Sequence, residues 1–135
     1  MTGFSPRVRR LVRTRAGNGD LFLACCEACG IWLGEHAGQM QHRVARGQGG
    51  CKDPVINGPA NATLMCGTPF SGCHGLAESR KPEHRMEDRG FVIRHGNGPD
   101  YDPRYVPLVL LGDVRVWLSE TEPRYLYEPP IEVAA

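Results

Sequence analysis

Two short thiol clusters constrain this chain more than any other feature. Cys26-Glu27-Ala28-Cys29 is followed, after a histidine-bearing segment, by Cys66 and Cys73. A Cys-x2-Cys pair sets two thiolates at the roughly 3.7 Å sulfur separation that follows from Zn–S bonds of about 2.3 Å in a tetrahedron. Gly30 directly after Cys29 suits the tight return of a zinc knuckle. The six residues between Cys66 and Cys73 include two glycines and a proline and can fold back as a second knuckle. The expectation is one structural zinc on Cys26, Cys29, Cys66 and Cys73, with Cys25 the alternative to Cys26 and Cys51 a spare.

The rest of the composition asks for such a staple. With 17 Gly, 11 Pro and a 41% hydrophobic fraction in 135 residues, the core is thin for the loop content. The length sets one domain over 1–135, with a core about 10–95, a basic N-terminal segment and an acidic C-terminal extension about 96–135. The start, Met1-Thr2-Gly3-Phe4-Ser5-Pro6-Arg7, lacks the apolar core of a secretory signal, and no stretch reaches membrane-spanning length. A reducing cytoplasm is therefore the expected location, and there thiol clusters bind metal more often than they form disulfides. A thiol redox protein built on Cys25-Cys26 is a poor fit, because no βαβ pattern surrounds the pair.

Charge is uneven although the net value is +1. Residues 1–50 hold seven arginines against three acids, and residues 86–135 hold five arginines against nine acids. Arg7, Arg9, Arg10, Arg13 and Arg15 crowd one segment, either as a phosphate-binding face or as a solvated helix. Ser5-Pro6 opens that helix and Ala16-Gly17 closes it. Leu21–Ala24 reads as a brief strand, 31–45 as a loose hairpin and 73–80 as a helix. A short helical stretch over 82–89 and an antiparallel sheet from 91–94 and 106–118, turned at Gly112-Asp113, complete the reading, with 128–135 as a tail. Trp32 and Trp117 are expected to fill the core, and His36, His84 and His95 to lie on the surface.

Four separated elements, Cys26-Glu27-Ala28-Cys29-Gly30, Gln41-His42-Arg43, Asn61 with Leu64-Met65-Cys66-Gly67, and Gly72-Cys73-His74-Gly75, occur in an order that resembles the zinc-containing HNH endonucleases of actinobacterial phages. The resemblance covers about residues 10–95. It implies an α+β fold, a small zinc-stabilised treble-clef, ββα-metal domain with a peripheral antiparallel hairpin, and hydrolysis of DNA phosphodiesters. His42 matches the water-activating histidine and His74 the last metal-binding one. Asn61 matches the residue that fixes the loop behind the histidine, with Asn57 a nearby competitor.

Gln41 stands where the family has a metal-ligating His or Asp, and ligates directly or through water. Glu78, one helical turn after His74, lies where a further ligand often sits. His74 has a second reading as a zinc ligand in place of a cysteine. A catalytic Mg²⁺, Mn²⁺ or Ni²⁺ on Gln41, His74 and Glu78 is implied, with Arg43 and Arg46 as phosphate contacts. The implied partners are double-stranded DNA and the phage large terminase subunit, in the bacterial host cytoplasm. The rival reading is a non-catalytic zinc-ribbon module that binds DNA or protein.

Overall fold

The computed structural model describes residues 3–47 and 53–131. Cys51 lies outside them, as do residues 132–135 of the expected tail. Helix α1, Pro6–Ala16, begins where Ser5 accepts a hydrogen bond from the Val8 amide (3.2 Å) and where Pro6 has no amide hydrogen to leave unpaired. Val8, Leu11, Val12 and Arg15 recur at helical spacing and form its buried face. That face packs, with Phe4, on Ala62 and Leu64.

Strands β1, Gln39–His42, and β2, Ala62–Met65, form an antiparallel pair in which His42 sits opposite Ala62. β2 is buried along its whole length, covered by α1 on one side and the main core on the other. Helix α2, Gly72–Ser79, follows the second thiol cluster and buries Cys73, His74 and Ala77. The C-terminal part makes a three-stranded antiparallel sheet: β3 Leu108–Leu110, β4 Val114–Leu118 and β5 Tyr125–Leu126, in the order β3-β4-β5. Leu108, Val116 and Leu118 of this sheet pack with Cys26, Met65, Cys73, Ala77 and Phe91 in one cluster, so two of the four thiols sit inside the principal core while Cys29 is exposed.

The architecture is a small mixed α/β one with two antiparallel sheets. Several expected elements take other forms. Leu21–Leu23 is a 3-10 turn, because Asp20 caps the Phe22 amide (2.9 Å) and curls the chain. Within 31–45, β1 finds its partner in β2, and Trp32 instead makes a two-residue bridge with Cys25. Trp32 is 66% exposed, its indole N–H donating to the Phe22 carbonyl, so it does not fill the core. The stretch after Pro82 is a single 3-10 turn, ended by Arg85 in a left-handed conformation. Residues 91–94 make only a parallel bridge from Ile93 to Val44. The turn at Gly112-Asp113 is present, joining β3 to β4 with both residues at positive φ. No helix among the described residues is long and apolar enough to cross a membrane.

Candidate metal centre and histidine cleft

The sulfurs of Cys26, Cys29, Cys66 and Cys73 all lie within 4.8 Å of one another, and those of Cys29 and Cys66 are 3.8 Å apart. Four thiolates around an ion at about 2.3 Å stand roughly 3.8 Å from each other, so this donor set can hold a metal ion. Each half is a folded knuckle. In the first, the Gly30 amide donates to the Cys26 carbonyl and the Cys26 amide to Ile31, both at 2.8 Å. In the second, Thr68 and Ser71 exchange main-chain hydrogen bonds, and the Cys73 amide points at the Cys66 sulfur (3.4 Å). Gly67 has a φ of 86°, and a Cβ there would stand 2.2 Å from the Ser71 carbonyl oxygen, so no other residue fits that turn. Cys25 is outside the cluster, its thiol donating to the Leu23 carbonyl.

Burial and the charge of Cys26 push the Cys73 thiol far up. Cys66 is the contrary case: burial opposes its ionisation, but hydrogen bonds from Cys73 and the neighbouring thiols hold it below the usual range. Thiols packed this closely resist ionising together unless a cation shares the space.

Glu27, inside the first knuckle, was not singled out from the sequence. Its buried carboxylate takes both Nη2 (2.7 Å) and Nε (3.0 Å) of Arg15. The Leu64 amide (2.9 Å) and the Tyr125 hydroxyl (2.6 Å) also donate to it. Arg15 spends its remaining donors on the carbonyls of Pro59 and Ala62. Arg15 is therefore withdrawn from the basic surface. The signal was available, since positions 8, 11, 12 and 15 make one helical stripe.

Side chains alternate along β1 and just beyond it. Gln41 and Arg43 share the inner face, and His42 points the other way. The Gln41 amide donates to the carbonyls of His42 (2.7 Å) and Phe91 (3.0 Å) and accepts from the Thr63 hydroxyl (2.7 Å). Instead of a free metal ligand, it is a buried tie between β1, β2 and Phe91. Arg43 is also corrected as a phosphate contact. It is fully buried, and its guanidinium donates to the carbonyls of Ala60, Gly90, Pro103 and Val106 at 2.7–2.9 Å. Burial and the Arg15 charge lower its pKa to about 9, so it stays protonated at neutral pH.

Asn61 is buried with every side-chain donor used: its oxygen accepts from the Val44 amide (2.8 Å) and its nitrogen donates to the carbonyls of Val44 and Ile56. It fixes the chain just behind His42. Asn57 does something different. Its amide oxygen lies 3.1 Å from His42 Nε2, while Phe4 stacks on the imidazole at a 4.0 Å centroid distance. Burial lowers the pKa of His42 against the opposing Asn57 hydrogen bond, so the ring is neutral near pH 7.

Gln41, His42, Arg46, Glu78 and Arg80 line one surface cleft between the end of β1 and the end of α2. His74 stands behind it. Its Nε2 is 3.4 Å from Glu78 Oε1 and its Nδ1 is 3.0 Å from Gln39 Oε1. His74 thus takes no place in the sulfur cluster. Its burial lowers its pKa, with Glu78 opposing. The structure brings Gln41, His42, Glu78 and Arg46 to one cleft and connects His74 through Glu78; the Gln41 amide is spent on internal hydrogen bonds, and Arg43 and Asn61 serve the scaffold around the cleft. Comparisons with protein-family models, curated proteins and solved structures each return no match to this chain.

Proposed function

We propose that this chain is a metal-dependent DNA endonuclease of the HNH type, with a structural zinc on its four cysteines and a ββα-metal site on a treble-clef scaffold. The observation that carries the reading is the shared cleft, in which an oriented, neutral His42 faces a helix bearing Glu78 backed by His74. With the Asn57 oxygen accepting from Nε2–H, the free lone pair of His42 is on Nδ1. His42 then takes a proton from water, and the resulting hydroxide attacks phosphorus as the 3′ oxygen leaves. Two ligands, an imidazole and a carboxylate, fit a divalent ion such as Mn²⁺, Ni²⁺ or Mg²⁺ that leaves its other positions to water and phosphate. Such an ion, when bound, offsets the charge developing on the phosphate. Arg46 and Arg80, beside His42 and Glu78, would take phosphate oxygens. The phage setting and the terminase partner belong to this reading and rest on the sequence resemblance alone.

One observation favours the rival, a non-catalytic zinc module: the Gln41 amide is tied up inside the core, leaving the divalent ion two protein ligands from this group. A plasmid assay separates the two. The nuclease nicks supercoiled DNA with Mg²⁺, Mn²⁺, Ni²⁺ or Zn²⁺, stops in EDTA, and loses roughly 10²–10⁴-fold in rate in His42→Ala. A module that shifts DNA mobility yet leaves the plasmid intact with every metal sinks the enzymatic reading.

A further inference from the structure

Arg9 and Arg13 lie one turn apart on α1, beside its buried stripe. With His36, Gln39 and His42 they line a groove between α1 and β1, and Phe4 forms its wall. Like charges at this spacing oppose one another on a helix. Burial, then the Arg9 charge, lowers the pKa of Arg13, with Glu35 only partly compensating. Neither guanidinium has a carboxylate within ion-pair distance among the described residues. The fold therefore carries a local repulsion that an anion would relieve.

Both side chains are already aimed. Arg9 Nε donates to the Phe4 carbonyl (3.1 Å), and Arg13 donates to the carbonyls of Gly34 (3.2 Å) and His36 (3.4 Å). A guanidinium offers five N–H donors, so several on each remain for a ligand with many oxygens. The floor of the groove follows β1 from Gln39 to His42, three residue steps of about 3.3 Å.

The geometry points to this groove as a track for the phosphodiester backbone of duplex DNA, with Arg9 and Arg13 as phosphate clamps that deliver the strand to His42. The clamp deepens the nuclease reading and rests on it for what happens at His42; the binding itself does not.

The test is a salt series of anisotropy titrations on a short labelled DNA duplex, using zinc-loaded protein in a His42→Ala background so that nothing is cut. Arg9→Gln and Arg13→Gln should each weaken binding about 5–10-fold and lower the log–log salt slope by about 0.9. Arg13→Lys should keep the slope. Arg10→Gln removes the same charge outside the groove and should leave the slope nearly intact. Unchanged zinc content and melting temperature check that each variant is folded, and Arg9→Gln keeps the test decisive if Arg13→Gln does not fold. Equal losses from Arg10→Gln, or none from the groove pair, overturn the clamp. Plasmid nicking by the wild-type protein is scored separately. Nicking with unaltered slopes removes the clamp alone, and altered slopes with no nicking in any metal remove the hydrolytic reading alone.

Discussion

Arg43 offers the sharpest test of how this molecule is held together. Its guanidinium satisfies four carbonyls from three separate stretches of chain, Ala60, Gly90, and Pro103 with Val106, and no carboxylate pairs with it among the described residues. Arg43→Met keeps much of the volume but leaves all four carbonyls dry. At about 1–3 kcal/mol for each unsatisfied group the loss is roughly 4–12 kcal/mol, comparable to the whole stability of a small domain. No cooperative unfolding transition should remain. Arg43→Lys is more informative, because an ammonium has three donors on a single atom and cannot span four acceptors. One or two carbonyls are then orphaned and the rest poorly aligned, for a loss of about 2–5 kcal/mol. For a chain of this size that lowers Tm by about 10–20 °C. Circular dichroism melts of the zinc-loaded protein read the shift, and a DNA titration of the same sample reads the salt slope. A Tm within a couple of degrees of wild type, together with a slope reduced by about one, would refute the scaffold role and restore Arg43 to the phosphate surface.

Metal removal should unfold the chain rather than loosen it, because Cys26 and Cys73 sit within the principal core and structural zinc sites contribute about 10–16 kcal/mol in small domains. A chelator with reductant should abolish the melting transition seen by circular dichroism; an unchanged Tm after stoichiometric metal release counts against it. Asp102 supplies a pH prediction. Burial opposes its ionisation, but hydrogen bonds from the Arg104 side chain (2.7 and 3.0 Å) and main chain, with the Arg104 charge, hold its pKa below the usual aspartate value. A depressed carboxylate adds stability above its unfolded pKa and loses it as pH falls through the folded value. Asp102→Asn should therefore melt earlier than wild type at pH 7 and converge with it in acid, and a gap that stays constant down to pH 3 contradicts the assignment.

The four-cysteine cluster was the most legible part of this chain, since Cys-x2-Cys with a following glycine encodes its geometry locally and the second pair needs only a turn between its thiols. Helix α2 followed from the same place, for it starts at the second knuckle. The arginines were harder to read. Charge clustering left Arg15 on either a phosphate face or a solvated helix, and the resemblance put Arg43 on phosphate, but one continues an apolar helical stripe and the other shares the inner face with Gln41. Periodicity decides burial here, and side-chain chemistry only decides what must be supplied inside. Asn57 escaped selection as the partner of His42 because the two stand fifteen positions apart in the sequence, and no local pattern encodes that approach. The same limit applied to Tyr125, whose partner lies 98 residues away, and to the pairing of β1 with β2 across 19 intervening residues.

That distant tyrosine has a consequence for how the chain assembles. All four cysteines precede residue 125 in the chain, so they can gather around a cation while the carboxylate between the first two of them still lacks its hydroxyl donor. Arrival of β5 then places the last donor on that carboxylate, making β5 a latch that closes from 98 residues away on the first thiol knuckle.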